Sequence, residues 1–176
     1  GLIRHFSAIA SAADLPCILY NVPSRTGMNI ETDTYQKLSE IENIVAVKEA
    51  SGNISQIAQI AQSCDLSIYS GNDDQIVPIM SLGGIGVISV LANILPRETH
   101  AICRYMLDGE FQRAREMQLK YLNFINALFC EVNPIPVKTA LNLMGMNVGP
   151  LRLPLCEMNE QNLQTLKLRM SELELI

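Results

Sequence analysis

Lys48 follows the apolar run Ile44-Val45-Ala46-Val47, which puts an amine at the carboxyl end of a segment suited to a buried strand. A free lysine titrates near pH 10.4, so only about one in a thousand is neutral and nucleophilic close to pH 7.4. Apolar surroundings penalise the ammonium and favour the amine, which can then attack a carbonyl carbon and form a Schiff base. The bland alternative is a strand-end lysine whose head reaches into solvent.

Other residues strengthen the chemical reading. Tyr20 ends the preceding apolar run, and its phenol is of the type that moves a proton to the departing carbinolamine hydroxyl. Taken alone, it would equally serve as a core-capping tyrosine with a wet hydroxyl. Arg25 lies in the polar stretch Asn21-Val22-Pro23-Ser24-Arg25-Thr26-Gly27, read as a loop after a strand. Its guanidinium could fork onto a substrate carboxylate, or simply be solvated. Downstream, Ser70-Gly71-Asn72-Asp73-Asp74 and Gly83-Gly84-Ile85-Gly86-Val87-Ile88-Ser89-Val90 place glycines at strand and helix ends, where backbone can approach a ligand or merely turn. His5 and His100 fall on helix-like segments and read as surface residues.

The elements that must position these groups alternate along the chain. Four strand-like runs, Cys17 to Val22, Ile44 to Val47, Ser67 to Ser70 and Gly86 to Val90, are near-continuously apolar, as in parallel strands covered on both faces. Between them the spacing predicts helices over Thr32 to Ile41 and Ile54 to Ser63, and a shorter one over Gln75 to Leu82 closed by Gly83 and Gly84. A helical pattern with Leu2, Ile3, Phe6, Ile9 and Ala10 apolar opens the chain. The sequence begins at Gly1 rather than Met, which points to missing residues upstream.

After Pro96 the strand signal disappears. A helix around Glu98 to Leu107 is broken by Asp108 and Gly109, and the next carries one apolar stripe of Phe111, Ala114, Met117, Tyr121, Phe124 and Leu128. A third has Pro136 near its first turn and ends near Gly145, and the last runs from an N-cap at Asn159 to Leu173. Four βα units suit either an open doubly wound sheet or part of an eight-stranded barrel, which needs about 250 residues when complete.

Composition narrows the function classes. With 176 residues, 48% hydrophobic and 18% charged, the chain has material for a sizeable core and no signature of disorder. A net charge of −5 and a pI near 5.0 give no basic footprint for nucleic acid. No apolar run reaches the eighteen or so residues of a membrane span, and no signal peptide opens the sequence, so a cytoplasmic location is expected. The five cysteines, Cys17, Cys64, Cys103, Cys130 and Cys156, are dispersed and read as small buried hydrophobes rather than a zinc site or disulfide framework.

Four ordered motifs now stand together: Tyr20 to Gly27, Lys48-Glu49-Ala50-Ser51-Gly52-Asn53, Gly86 to Val90, and Asn133-Pro134-Ile135-Pro136-Val137-Lys138. In this combination the chain resembles the carboxyl-terminal part of the dihydrodipicolinate synthase family, essentially from Gly1 to its end. The resemblance implies an α/β fold, the C-terminal half of a (βα)8 TIM barrel followed by a C-terminal helical extension. Residues 1–108 would be the catalytic half-barrel and 109–176 the helical extension. It further implies a homotetramer and a class I lyase that condenses pyruvate with aspartate semialdehyde in diaminopimelate and lysine biosynthesis.

By the same resemblance Lys48 is the Schiff-base lysine and Tyr20 the proton-relay tyrosine, Arg25 receives the semialdehyde carboxylate, and Gly71 and Ile88 line the pyruvate site. No metal or organic cofactor is implied, the pyruvate being held covalently on Lys48. N-acetylneuraminate lyase and its kin share the lysine and tyrosine but generally lack the arginine, so Arg25 favours the synthase. The family's first four βα units have no counterpart here, nor do two threonines, a tyrosine lent by a neighbouring subunit and the lysine-feedback pocket. The isolated chain is therefore expected to be inactive or nearly so. The alternative from a different class is a non-catalytic fragment that self-associates through its uncovered half-core.

Overall fold

The computed structural model describes residues 1–13 and 15–176, which form two compact units, Gly1–Ile88 and Ser89–Ile176. In the first, helix α1 (Leu2–Ala12) precedes strand β1 (Cys17–Asn21), and a short helix α2 (Pro23–Thr26) follows it. Then come α3 (Thr32–Leu38), β2 (Ile44–Glu49), α4 (Ile54–Ser63), β3 (Ser67–Ser70), a 3-10 turn over Asp73–Gln75, α5 (Ile76–Ser81) and β4 (Gly86–Val87).

The strands form a parallel sheet in the order β1-β2-β3-β4, with no reversal of direction or order among the described residues. A doubly wound sheet reverses its strand order at a switch point; this one steps steadily from each strand to the next. Leu19, Val47 and Ile68 are register partners that share one face, and they pack into a core with Ala10, Tyr35, Leu38, Ile57, Ile60 and Ile79 from the helices. Burying each such leucine or isoleucine is worth roughly 1.5–3 kcal/mol. Expected coverage on both faces is not what β1 displays: Ile18 is 50% exposed. In the described residues the helices cover one side of β1, and the residues alternating with its core positions are open.

Local chemistry explains several element ends. Helix α3 stops at Leu38 rather than Ile41, and Ser39 Oγ donates to Gln36 O at 2.8 Å, a side-chain bond that competes with the helical backbone ladder. Its Asp33 in the first turn and Lys37 in the last complement the helix dipole. Helix α4 spans the expected residues, and Asn53 caps it by accepting from Gln56 N at 3.1 Å. The predicted polar loop after β1 is instead helix α2, with Pro23 in its first turn and Gly27 in the left-handed conformation (φ +69°) closing it. Strand β4 ends at Val87, three residues short of the expected end, because Val90 already has helical dihedrals and leads into a 3-10 turn over Leu91–Asn93.

The second unit holds α6 (Pro96–Leu107), α7 (Phe111–Leu128), α8 (Ile135–Leu143) and α9 (Glu160–Glu172). On α7, Ala114, Tyr121, Phe124 and Leu128 are buried as the spacing predicts, whereas Phe111, the helix's first residue, is 59% exposed and lies outside the stripe. Asn159 caps α9 by accepting from Gln161 N, and Leu166 and Met170 are its buried residues. Helix α6 packs on α7 and belongs to this unit, so the division falls at 88/89, earlier in the chain than 108/109. The cysteines are not the buried residues their type suggested: Cys17, Cys64 and Cys103 are half-buried, the first two packing against the first unit's core, and Cys130 and Cys156 are exposed. No described helix is long and apolar enough to cross a membrane.

Candidate active site

Parallel register brings the chemistry-bearing residues to one end of the first unit's sheet. Tyr20 on β1 pairs with Lys48 on β2, which pairs with Tyr69 on β3, which pairs with Gly86 on β4. Side chains alternate along a strand, so this row faces away from the side that buries Leu19, Val47 and Ile68. Lys48 Nζ lies 4.3 Å from the centroid of the Tyr20 ring, a cation–π contact worth about 0.5–2 kcal/mol depending on its access to water. Lys48 is half-buried and Tyr20 is 44% exposed, so a small molecule can reach both from the open face.

The remaining sequence-predicted residues lie at the same ends of the strands. Gly71 directly follows β3, and its amide donates to Glu49 O at 2.7 Å. A Cβ on Gly71 would sit 2.5 Å from Ala50 Cβ and 3.0 Å from Glu49 O, so only glycine fits against the chain just beyond Lys48. Ile88 directly follows β4, donates its amide to Ser70 O at 2.9 Å and leaves its side chain 38% exposed. Arg25 is on α2, immediately after β1, with an exposed side chain. The motif from Asn133 to Lys138 belongs to the other compact unit, at the start of α8, where Lys138 Nζ donates to Pro150 O.

Behind this row lies a polar layer that the sequence reading did not single out. Asn21, Glu49 and Ser70 are 1%, 0% and 0% exposed, although each stands where the preceding row carries Leu19, Val47 and Ile68. Glu49 accepts from Asn21 Nδ2 at 3.1 Å on both oxygens, from the Tyr35 hydroxyl at 2.9 Å and from Ser51 N at 2.8 Å. Burial, and then the adjacent Glu49 charge, push the Tyr35 phenol far above its ordinary range, so it remains a donor. Tyr69, Lys48's partner on the other side, was also missed. Its signal was strand alternation: once the strand is carried past Val47 through Glu49, Lys48 and Glu49 must point to opposite faces.

A cavity of about 570 Å³ in this unit lies at the other, amino end of the strands, lined by Leu15, Pro16, Glu42, Asn43 and Val45 with the end of α1, and neither Tyr20, Lys48 nor Arg25 lines it. Among the described residues no group of three or more His, Cys, Asp or Glu is placed to share a metal ion. The arrangement is therefore a half-buried lysine over the Tyr20 ring, with Tyr69 as its register partner on the next strand, at the carboxyl ends of parallel strands, and an arginine on the helix that follows β1.

Comparison with known proteins gives a consistent match. The family model described as the dihydrodipicolinate synthetase family matches residues 1–173. A 4-hydroxy-tetrahydrodipicolinate synthase of Caldicellulosiruptor bescii is 62% identical over 168 residues, covering 95% of this chain and 57% of its own length. One from Clostridium perfringens is 62% identical over 165 residues, covering 93% of this chain and again 57% of its own. The crystal structure of dihydrodipicolinate synthase from Aquifex aeolicus superposes with a TM-score of 0.96 at 44% identity, over 99% of this chain and 61% of that one. The chain thus spans a little over half the length of the relatives it matches, and it belongs to the dihydrodipicolinate synthetase family.

Proposed function

We propose that this chain carries the covalent site of a pyruvate-dependent lyase that joins pyruvate to aspartate semialdehyde, and that its first unit is an arc of a (βα)8 barrel. The observation that carries the reading is the pairing of Lys48 with Tyr20 on the open face at the carboxyl end of a sequentially ordered parallel sheet, where barrel enzymes keep their reactive groups. The names of the similar relatives support the choice of substrates, and Arg25 on α2 supports it over a sugar-acid lyase.

In this mechanism the neutral Lys48 amine attacks the keto carbon of pyruvate. Tyr20 transfers a proton to the carbinolamine hydroxyl, water leaves, and a Schiff base remains. Loss of a methyl proton gives an enamine whose carbon attacks the aldehyde of the second substrate, whose carboxylate is held by the Arg25 guanidinium. The amino group of the new chain then displaces Lys48, closing the ring to hydroxytetrahydrodipicolinate and releasing the enzyme. Gly71 and Ile88 bound the pyruvate pocket. The organic intermediate stays on the protein, and the reading requires no metal or cofactor. The similar relatives are longer than this chain, which covers 57% of their length, so the 176 residues by themselves are expected to form the adduct with little or no turnover.

Incubation with pyruvate and borohydride, followed by intact-mass measurement, tests the proposal. A reduced pyruvyl adduct that disappears in Lys48→Ala is the expected result. No adduct on the wild-type chain would leave its family membership standing and favour the second reading, a self-associating fragment. That reading has one specific support, the edge strand β1, which among the described residues pairs only with β2 and exposes Ile18 beside Tyr20.

A further inference from the structure

We propose that Glu49 is a positioning residue for Lys48, acting through a buried brace that fixes the ends of β1 and β2 in the register that sets the amine over the Tyr20 ring. The inference rests on the Schiff-base reading for its function but not for its geometry. Asn21 and Glu49 are register partners, one residue beyond Tyr20 and Lys48, which are also partners. The reactive pair and the bracing pair are therefore successive rungs of one ladder, on opposite faces of the sheet.

The brace reaches well beyond the two strands. Besides Asn21, Glu49 binds Tyr35 on α3 and the amide of Ser51, two residues ahead, which shapes the turn that leaves Lys48. Asn21 in turn accepts from Ile30 N at 3.0 Å and donates to Asn29 Oδ1 at 2.8 Å. Gln56 on α4 accepts from Asn29 Nδ2 and donates to Ile30 O, closing the network between α3 and α4. Backbone bonds continue the sheet over the same residues, from Ala50 N to Asn21 O and from Gly71 N to Glu49 O.

Stability alone is a poor reason for this arrangement. The preceding rung fills the same face with Leu19 and Val47 at no desolvation cost, whereas a fully buried carboxylate is costly even when hydrogen-bonded. Among the described residues the donors to Glu49 are Asn21, Tyr35 and the Ser51 amide, none of them a cation, so the group is held by directed hydrogen bonds. Directed bonds favour a fixed geometry: they join named donors and acceptors across the two strand ends, whereas apolar contacts have no preferred direction. A reactive amine displaced by about 1 Å can lose around a hundredfold in rate.

The test uses the 176-residue chain labelled with carbon-13 lysine, with the Lys48 side-chain resonance assigned by its loss in Lys48→Ala. In the wild type the Tyr20 ring shifts that resonance upfield. In Glu49→Gln, which keeps the shape but opposes an amide to the Asn21 amide, the upfield shift is expected to be lost and the rate of borohydride-trapped adduct to fall about a hundredfold. Ile60→Ala, a cavity in the same core away from the brace, serves as the control: its Tm should fall while the Lys48 resonance stays in place.

A Lys48 resonance unmoved in folded Glu49→Gln would overturn the proposal, whatever the loss of Tm. Should Glu49→Gln not fold, Tyr35→Phe removes one donor from the brace and must move the resonance part of the way; an unchanged resonance there overturns the proposal as well. Absence of adduct on the wild-type chain would defeat the Schiff-base reading alone, because the resonance still decides whether Glu49 positions Lys48.

Discussion

Lys48 meets Tyr20 through the face of the ring, with Nζ 4.3 Å from the ring centroid, so the contact that places the amine is separable from the hydroxyl that would move its proton. Tyr20→Phe retains the ring and deletes the hydroxyl. The expected outcome is unchanged stability, within about 0.5 kcal/mol for a half-exposed site, with Schiff-base formation slowed about a hundredfold or more through loss of general acid–base catalysis. Urea denaturation and time-resolved borohydride trapping read the two effects separately. An equal loss in both would mean that the tyrosine acts through structure.

Arg25 sits exposed on α2, and no described salt bridge involves it. Removing it should cost the fold almost nothing, again within about 0.5 kcal/mol. If it receives the semialdehyde carboxylate, replacing the matching arginine by alanine in a full-length synthase of the family should raise the KM for that substrate about 10- to 100-fold, the equivalent of one or two charge-assisted hydrogen bonds. The KM for pyruvate should hardly move. Steady-state kinetics with each substrate varied in turn provides the check.

Gly71 packs against the turn that follows Lys48, and a methyl there would meet Ala50 Cβ at 2.5 Å and Glu49 O at 3.0 Å. The obstruction is mainly backbone and a side chain with no freedom to rotate away, so β2 and β3 must part. Gly71→Ala is expected to lower stability by about 1–3 kcal/mol and to slow adduct formation on Lys48. Denaturation together with trapping measures both.

Much of this arrangement was legible in the sequence because parallel strands covered by helices are written as short apolar runs. Ser67–Ser70 and Ile54–Ser63 have the bounds their patterns indicate. The row of Tyr20 and Lys48 was readable as two residues at strand ends, but their pairing was not, since register depends on bonds between segments 28 positions apart. Glu49 was hidden by its type: a carboxylate after a lysine reads as a surface charge, and burial becomes visible only when Asn21, Tyr35 and Ser51 converge on it. Helix α2 was signalled by Pro23 and Gly27, a start and a stop only four residues apart, too close for any periodic pattern to register between them.

Tyr35 gives the buried network a pH signature. Its phenol is held far above the ordinary tyrosine value, first by burial and then by the Glu49 charge, while in the unfolded chain it ionises near pH 10. Below about pH 10 both states keep the proton, and the contribution of Tyr35 to stability is complete. Above it the unfolded chain releases a proton that the folded protein retains, so folding loses about 1.4 kcal/mol per pH unit from this residue. Tyr35→Phe should be less stable than the wild type at pH 8 through the lost hydrogen bond to Glu49, by about 1–3 kcal/mol. The gap should then narrow by about 1.4 kcal/mol for each unit above pH 10. Urea titrations of both proteins at pH 8, 10 and 11 test this, and a gap that stays constant would mean that Tyr35 ionises as readily in the folded chain as in the unfolded one.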